Sequence, residues 1–364
     1  VALCEHSVIG AGASGRNGGF CSSGWAAGLD QITRLVGPLV SKELELIGAD
    51  GFKWMRDRAF SSKYTKAQPI SGIISLGLKG QISEGSERLD EVELKKFVDG
   101  PRYKWGKIDN EAFHFHPLNF LKTFLQEAIS HGVKVFENTG EVQLNGSEIY
   151  FSNGNRISCD RMIWATGGYS IEKNSTLKKY LLPIQTFICV TSPMPEILET
   201  YIPTRMALGD DRRAGNYFRR LPDGRLLWGM GVSALNQQSV ESIKQMGWKN
   251  IKAHFPNMIA EMKQNNIKFD YAWSGLMAYA SHFMPYVGKL NERESILSGF
   301  GGHGMNTAPI AGKRMALFLN GDKNMLDPFL EIPRRNVFGL IGRLGAEFEY
   351  RRLRVIDYIA EALG

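Results

Sequence analysis

Hydrophobic residues follow two spacings along the chain, and each spacing predicts a different kind of element. The clearest helix begins at Pro117, because a first helical turn does not need the N–H that proline lacks. Gly132 is placed to end this helix. Apolar residues between them share one face, namely Leu118, Leu121, Phe124, Leu125, Ala128 and Ile129. Four short segments then predict strands, with turns such as Asn-Gly between them: "VKVFE", "EVQL", "EIYF" and "RISCDRMIWA".

A second helical pattern starts at Ser41 and predicts one long helix, whose apolar residues are Leu44, Ile47, Phe52, Met55 and Phe60. The segment "ISGIISLGL", from Ile70, predicts a strand or a hairpin. The polar residues that continue through Lys96 predict a surface helix and loop.

The pattern changes between about Ile184 and Phe269. Segments "IQTFICV", "NYFRRL" and "RLLWGMGV" predict strands, and "SVESIKQMGWKNIKAHF" predicts a helix after them. This indicates a second, mainly antiparallel domain inserted into the first, with one sheet face free to form a substrate wall. The chain then returns to the first domain with "ESILSGFGGHGMNTAPIAGKRMALFL", in which residues 307–319 predict a helix. The expected fold class is α/β with an α+β insertion.

A glycine-rich stretch, "VIGAGASGRNGGF", places Gly10, Gly12 and Gly15 in the spacing of a dinucleotide-binding loop. Such a loop follows a buried strand, opens a helix and precedes an acid by about 20 residues. Here only two apolar residues precede it, two adjacent glycines oppose a helix, and Asp30 comes too early. We therefore predict that this is not the phosphate loop and that no helix opens here. Glu5, at the end of "VALCE", is instead predicted to end a parallel strand and to bind a ribose.

Four motifs occur in a fixed order: "GASGRNGG", "HPLNFL" followed by "GVKVFE", "WATGG", and "GFGGHGM" followed by "PIAG". In this order they resemble flavin-dependent amine and amino-acid oxidases of the D-amino-acid oxidase superfamily, especially its gamma-glutamylputrescine oxidase-like branch. The resemblance extends from Glu5 to about Pro328. It implies a Rossmann-like FAD-binding domain with an inserted antiparallel-sheet substrate domain. The implied FAD-binding parts are residues 1–58, 110–172 and 275–331, the substrate-domain parts are 59–109 and 173–274, and 332–364 form a helical tail.

In that family a first strand and the true glycine fingerprint precede the region that corresponds to Glu5, and the present sequence does not contain them. The resemblance therefore implies an N-terminally truncated FAD-binding domain. Because a pyrophosphate site would be missing, the chain alone is expected to be largely colourless and prone to aggregate.

The resemblance also implies which residues contact FAD. The loop "SGRNGG" would line the ribityl and flavin side, "WATGG" would let the backbone approach the cofactor, and the glycines of "GFGGHGM" would permit a close approach to the ring. The helix after them would direct its positive N-terminus at the flavin and stabilise the reduced ring. The implied set is Glu5, Ser14, Arg16, Asn17, Gly18, Gly19, Val142, Ala165, Thr166, Gly167, Gly299, Gly301, Gly302, His303, Gly304 and Met305.

The implied reaction oxidises a C–N bond: a hydride leaves the carbon next to the amine nitrogen for the flavin, and the imine then hydrolyses. This chemistry needs a neutral amine and correct orientation more than a dedicated base. The candidates are His303 for proton handling, Tyr279 with Trp273 and Tyr286 for an aromatic wall, and Arg205 or Arg219 as a bidentate partner for a carboxylate.

Composition narrows the class of protein. The chain has 364 residues, enough for about two domains, with 43% apolar and 22% charged residues. It has no apolar run of transmembrane length, no signal-peptide pattern at "VALCEHS" and four scattered cysteines, so we expect a cytoplasmic protein without a metal site. The formal charge of +7 is spread over the chain without a nucleic-acid module, and no nucleic-acid partner is expected.

Three functions remain open at this level. The first is an FAD-dependent oxidase or dehydrogenase of a small amine or amino acid, with oxygen or another electron acceptor. The second is a peripheral membrane dehydrogenase that feeds a quinone, suggested by the basic and partly apolar tail "RRNVFGLIGRLGAEFEYRRLRVIDYIAEAL". The third is a non-catalytic chain that binds no flavin by itself.

Overall fold

The computed structural model describes residues 1–78, 88–145, 148–169, 171, 174–212, 215–235 and 237–362. Part of the polar stretch before Lys96 and the Asn-Gly turn after "EVQL" fall on residues 79–87 and 146–147, outside the described residues.

Helices and strands alternate in the first half of the chain. The helices are α1 (Ala13–Arg16), α2 (Leu29–Val36), α3 (Pro38–Ala59), α4 (Glu91–Leu94), α5 (Pro117–Ser130) and α6 (Ser175–Tyr180), with a 3-10 helix at Ser62–Ala67. The strands are β1 (Ala2–Cys4), β2 (Phe20–Cys21), β3 (Ile70–Gly77), β4 (Arg88–Leu89), β5 (Trp105–His114), β6 (Lys134–Phe136), β7 (Val142–Asn145), β8 (Glu148–Phe151), β9 (Arg156–Ser158) and β10 (Met162–Trp164).

The second half contains the longer strands. These are β11 (Leu182–Thr191), β12 (Ala207–Asp210), β13 (Tyr217–Arg220), β14 (Leu226–Ser233), β15 (Phe269–Tyr279), β16 (Tyr286–Lys289) and β17 (Glu294–Ser298). The helices are α7 (Pro195–Tyr201), α8 (Val240–His254), α9 (Pro256–Gln264), α10 (Gly304–Leu319), α11 (Asp327–Leu330) and α12 (Gly339–Ala362), with a 3-10 helix at Lys323–Leu326.

Parallel pairing marks the nucleotide-type part of the fold. Strand β1 pairs in parallel with β6, and β10 pairs in parallel with β17, which continues to β16. Glu5 directly follows β1, and its backbone N–H donates to Phe136 O (2.8 Å). The parallel strand that the sequence predicts before Glu5 is therefore present. Strands β7, β8 and β9 form the predicted antiparallel meander.

A nine-stranded sheet forms the rest of the architecture, in the order β15-β11-β14-β13-β12-β3-β5-β2, with β4 paired to β5. It is mainly antiparallel, as predicted, but β12 runs parallel to β3. One face carries the largest hydrophobic core, which includes Phe187 and Trp228 and is closed by α8 and α9. Side chains alternate between faces along a strand, so Ile188 and Leu227 lie on the opposite face, together with Tyr217 and Trp273.

Three helices differ from the sequence-based expectation. Helix α3 begins at Pro38 and not at Ser41. A single helical turn, α1, does open within the glycine-rich stretch, and it ends at Asn17 because two glycines follow. Helix α10 begins at Gly304 and not at Thr307. The helix can include the residues before Thr307 because the N–H groups of a first turn need no bond to a preceding carbonyl. Thr307 Oγ1 also donates a hydrogen bond to His303 O (2.6 Å).

Among the described residues, no helix combines the length and the apolar character needed to cross a membrane. Within the same part of the chain, no group of three or more His, Cys, Asp or Glu side chains is arranged to hold a metal ion.

Candidate functional site

Three loops from distant parts of the sequence meet along β15. We call them the 12–19 loop, the 165–169 loop and the 299–304 loop. The 12–19 loop contacts β15 through a hydrogen bond from Trp273 Nε1 to Arg16 O (2.9 Å). The 299–304 loop donates a hydrogen bond from Gly301 N to Ala278 O (3.0 Å). In the 165–169 loop, Gly168 packs so closely on β15 that an added Cβ would lie 2.9 Å from Met277 O. The motifs expected to contact the cofactor thus border one strand of the large sheet.

The 12–19 loop is stabilised by its own asparagine. Asn17 Nδ2 donates to Ala13 O (2.9 Å) and Ser14 O (3.1 Å), and Asn17 Oδ1 accepts from Gly19 N (2.8 Å). The Asn17 amide therefore shapes the loop, while the side chains of Ser14 and Arg16 remain exposed.

Arg219 clamps this loop from behind. Its Nε donates to Gly18 O (2.7 Å), its Nη2 donates to Phe115 O (3.0 Å), and its Nη1 lies 3.3 Å from His114 Nδ1. Only 4% of Arg219 is exposed, and burial lowers its pKa to about 10, so it stays charged at neutral pH. Burial, together with the charge of Arg219, lowers the pKa of His114 to about 4. His114 is therefore neutral, and its Nδ1 can accept from the guanidinium.

Two glycines of the loop are required by close packing. Gly19 has φ +80°, and an added Cβ would lie 2.0 Å from Phe115 O. A Cβ on Gly18 would lie 2.7 Å from Cε2 of Tyr217. Tyr217 thus covers the 12–19 loop from the sheet side, and burial raises its pKa to about 12, which keeps the phenol neutral.

The 299–304 loop brings Tyr279 and His303 to the same place. Gly301 and Gly302 have φ values of +59° and +80°, and a Cβ on Gly302 would lie 3.1 Å from the Tyr279 hydroxyl. Burial, with smaller contributions from Tyr350 and Tyr217, raises the pKa of Tyr279 above its ordinary range. Tyr279 is therefore a neutral hydrogen-bonding group at this point of the sheet.

His303 is the residue that precedes α10. Its Nε2 lies 3.2 Å from Ser23 O. Since a carbonyl oxygen only accepts, Nε2 carries the proton and Nδ1 is left as an acceptor. Burial lowers the pKa of His303, so the ring is neutral at pH 7. Asn306, in the first turn of α10, reinforces the same junction by donating from Nδ2 to Gly24 O (2.9 Å).

The 165–169 loop contains a buried polar atom without a partner. Thr166 Oγ1 is buried and makes no hydrogen bond. The loop is held by Ser298 Oγ, which donates to Gly167 O (3.3 Å), and by Tyr169, whose hydroxyl accepts from Leu276 N (3.2 Å). A buried hydroxyl without a partner is unfavourable unless a ligand or water satisfies it.

Other predicted residues lie further from β15 or serve the fold. Glu5 Oε1 accepts from Ser7 N (3.0 Å) at the end of β1, and Glu137 Oε1 accepts from Ile9 N (2.6 Å) after the neighbouring strand. Val142 is half-buried at the start of β7, and Ala165 is exposed. Met305 packs beside the core that contains Cys21 and Phe113, and Tyr286 is buried in the core that contains Ile296 and Met315.

The structure separates the two arginines considered for a carboxylate. Arg205 is exposed and lies within electrostatic range of Glu199, which also accepts from Arg220 Nη1 (2.7 Å). Arg219 is committed to the 12–19 loop. Neither guanidinium is brought against Tyr279 in the described contacts.

Sequence reasoning missed Tyr217 and Glu137. The signal for Tyr217 was available, since Tyr217 and Arg219 are two positions apart on a predicted strand and share a face. Glu137 ends "VKVFE" as Glu5 ends "VALCE", and two adjacent parallel strands end at the same sheet edge.

Comparisons with known proteins identify the family of the chain. A profile of the family described as "FAD dependent oxidoreductase" matches residues 1–317. A probable oxidoreductase OrdL from Haemophilus influenzae is 25% identical over 365 residues, which cover 93% of this chain and 81% of that protein. Gamma-glutamylputrescine oxidoreductase from Escherichia coli is 25% identical over 351 residues, which cover 92% and 81%.

Solved structures share the fold. Glycine oxidase from Geobacillus kaustophilus superposes with a TM-score of 0.63 at 15% identity and covers 92% of both chains. L-amino acid deaminase from Proteus vulgaris gives a TM-score of 0.65 at 16% identity, with 90% of both chains covered. The family match over most of the sequence, carried by a fold that these flavoproteins share, makes this chain a member of the FAD dependent oxidoreductase family, an enzyme with FAD as its cofactor.

Proposed function

We propose that the protein oxidises the C–N bond of a small amine or amino acid, with substrate bound between the 299–304 loop and the sheet face that carries Tyr217, Trp273 and Tyr279. The observation that supports this placement is the convergence of the three glycine-containing loops on β15. The relatives support the substrate class by their names, since one is a gamma-glutamylputrescine oxidoreductase and structural neighbours include a glycine oxidase.

The residues at the loops fit a flavin. Gly301 and Gly302 have positive φ values and let the 299–304 loop pack closely against Ala26, Met277 and Tyr279, and Thr166 Oγ1 offers a buried hydroxyl that a polar ring edge would satisfy. We propose that the 12–19, 165–169 and 299–304 loops hold the isoalloxazine and ribityl parts, and that Glu5 binds the adenosine ribose. When bound, FAD would supply the acceptor for the hydride, which carries the two electrons of the oxidation.

The protein's own groups bind and orient the amine. Tyr217, Trp273 and Tyr279 offer an aromatic face against which the carbon chain of an amine would pack, beside the neutral hydroxyls of the two tyrosines. His303 Nδ1, left as an acceptor by the bond from Nε2 to Ser23 O, can hold a proton near the reacting nitrogen. With these residues the protein can orient the amine and accept a proton, and this chemistry requires both.

Within this class we favour an amine over an α-amino acid. The guanidinium of Arg219 is engaged by Gly18 O and Phe115 O, and that of Arg205 lies by Glu199. A carboxylate therefore lacks the bidentate partner that the sequence suggested, whereas an amine needs none. The role of Arg205 as a substrate ligand stays a prediction.

The test is anaerobic reduction of the FAD-loaded protein by three compounds: gamma-glutamylputrescine, glycine and L-proline. We expect the visible flavin absorbance to bleach with the first compound faster than with the two amino acids. Oxygen consumption in the same preparation then distinguishes an oxidase from an enzyme that uses another acceptor. Failure of all three compounds to bleach a flavin that is fully bound would contradict the proposed substrate class.

A matched pair of tyrosine variants tests the placement of the substrate. Tyr279→Phe removes the hydroxyl beside Gly302 and is expected to slow flavin reduction by about tenfold, the effect of one lost hydrogen bond of about 1 kcal/mol or slightly more. Tyr271→Phe, on the same strand but 57% exposed, is the control and should leave the rate unchanged. Equal rates in the two variants would remove Tyr279 from the site.

A further inference from the structure

Helix α12 attaches to the protein by its polar side and turns its apolar side to solvent. Its attachments are Arg343 Nε to Ala234 O (2.7 Å), Ser233 Oγ and Ala234 N to Glu347 Oε2 (3.1 and 3.0 Å), and Arg354 Nη2 to Val232 O (3.0 Å). The opposite side carries what we call the α12 stripe, defined as Leu340, Ile341, Leu344, Phe348, Val355 and Ile359. This orientation is the reverse of that in an ordinary surface helix, whose apolar face is buried.

The exposure of the α12 stripe is large. Ile341 is 74% exposed and Phe348 is 70% exposed. Phe338, just before the helix, is 68% exposed and held at φ +54°, a conformation that bulky side chains rarely adopt. A contiguous apolar surface of this kind marks a site of interaction.

Positive charge surrounds the α12 stripe. Val337 N donates to Lys179 O (2.9 Å), which places α6 beside the start of α12. The exposed cations in this region, here called the α12 collar, are Lys178, Lys179, Arg334, Arg335, Arg351 and Arg352.

Two acids of the helix pair with arginines of the collar. Glu347, buried against Ser233, accepts from Arg351 Nε (3.3 Å), and Glu349 accepts from Arg352 at 2.7 and 2.6 Å. Asp357 is half-buried. Glu331 is an exposed acid close in sequence to the collar. The outward side of α12 therefore combines an apolar stripe with an excess of cations.

We propose that α12 docks the protein on an anionic lipid surface, with the α12 stripe inserted among the acyl chains and the α12 collar on the headgroups. The stripe runs from Leu340 to Ile359 along the cylinder of α12, so it forms a convex ridge of about 30 Å, at 1.5 Å for each residue. A ridge suits a planar, deformable interface, whereas a protein partner would need a matching groove. Apolar area and electrostatic attraction to anionic lipid act together in such helices.

The test is co-sedimentation of the FAD-loaded protein with vesicles of phosphatidylcholine and phosphatidylglycerol, and with vesicles of phosphatidylcholine alone. We expect binding to the anionic vesicles that weakens at high salt, and much weaker binding to the neutral ones. The double variant Ile341→Asp/Phe348→Asp should lower partition to anionic vesicles by at least about tenfold, because two inserted side chains are lost.

A charge-matched control separates insertion from net charge. Leu39→Asp/Val92→Asp changes the charge equally at positions that are 87% and 75% exposed, on α3 and α4. It should retain nearly all of the partition. Lys179→Gln/Arg335→Gln should weaken binding to anionic vesicles, and Lys95→Gln/Lys96→Gln, at the far edge of the large sheet, should not.

Three results would overturn the proposal. The first is a wild-type protein that stays in solution with anionic vesicles at low salt. The second is an equal loss of partition in the α12 variant and its control. The third is the absence of vesicle binding together with a concentration-dependent dimer, seen by light scattering, that Ile341→Asp/Phe348→Asp dissociates. This result would show that the α12 stripe binds a second copy of the protein. The substrate does not enter any of these measurements, so they are independent of the proposed function.

Discussion

Gly19→Ala is expected to destabilise the protein far more than Gly24→Ala, although both glycines have a similar backbone conformation. Their φ values are +80° and +92°, a region that costs an L-residue about 1–2 kcal/mol. Nothing lies within 4 Å of a Cβ built on Gly24, whereas a Cβ on Gly19 would lie 2.0 Å from Phe115 O. The pair of variants therefore isolates the contact between the 12–19 loop and Phe115.

The magnitude follows from the bonds that the methyl group would disturb. To admit it, the Phe115 carbonyl must move away from Arg219 Nη2 (3.0 Å), and the bond from Phe115 N to Gly19 O (2.9 Å) must lengthen. A bond from a charged donor contributes about 1.5–3 kcal/mol and a neutral bond about 0.5–1.5 kcal/mol. We expect Gly19→Ala to lower the free energy of unfolding by about 3–6 kcal/mol, against about 1–2 kcal/mol for Gly24→Ala.

Urea unfolding followed by tryptophan fluorescence measures both losses, and titration with FAD measures the affinity of each variant. The cofactor affinity should fall in Gly19→Ala and stay close to wild type in Gly24→Ala, since only the first displaces the loop. Losses of unfolding free energy that agree within about 0.5 kcal/mol, the usual range of a surface substitution, would show that Phe115 does not constrain the loop.

Gly302→Leu is expected to abolish flavin binding, because its φ of +80° disfavours leucine and a Cβ there would already lie 3.1 Å from Met277 Sδ and from the Tyr279 hydroxyl, which would displace the loop. Gly304→Ala, whose Cβ has no neighbour closer than 3.5 Å, should bind normally, and equal flavin spectra would count against this placement of the cofactor. Arg219→Lys should lower the free energy of unfolding by about 2–4 kcal/mol, because its hydrogen bonds to two carbonyls are lost. Arg205→Lys, the control, should lower it by less than about 0.5 kcal/mol. Similar thermal unfolding of the two variants would show that Arg219 does not hold the 12–19 loop. Burial lowers the pKa of His114 to about 4 from an unfolded value of about 6.5, so this residue should contribute a loss of about 3 kcal/mol of stability as pH falls through this interval. Burial also lowers the pKa of His254 to about 4, and this residue adds to the loss. His114→Gln should therefore reduce the slope of that part of the urea-midpoint profile, and an unchanged slope would mean that the imidazole titrates normally.

The order of elements could be predicted from the sequence because its signals are local. Pro117 and Gly132 bracket α5, and the strand before Glu5 forms as expected. The start of α10 could not be placed, since Gly304 is a poor helix former whose cost disappears in a first turn. The single turn of α1 was missed because the two adjacent glycines that oppose a helix, Gly18 and Gly19, come after it.

The chemistry of individual residues was less predictable because it depends on distant contacts. The sequence predicts Arg219 as a substrate ligand, but in the structure its Nε donates to the carbonyl of Gly18, which is 201 positions away in the chain. Asn17 reads as a cofactor ligand, but its amide is taken up by Ala13, Ser14 and Gly19. Burial and partners decide such roles, and they exist only once the chain is folded.

The outer edge of β15 is occupied by loops and not by another strand. Leu276 N donates a hydrogen bond to Tyr169, and Ala278 O accepts one from Gly301. The loops predicted to border the cofactor therefore satisfy the backbone groups of this edge strand. An open edge is a template for pairing with other chains. When loss of the cofactor releases these loops, the edge of β15 becomes free to pair with other chains, and the protein self-associates. FAD in solution should act as an aggregation inhibitor for this protein, with a protection that grows with the logarithm of its free concentration above the dissociation constant.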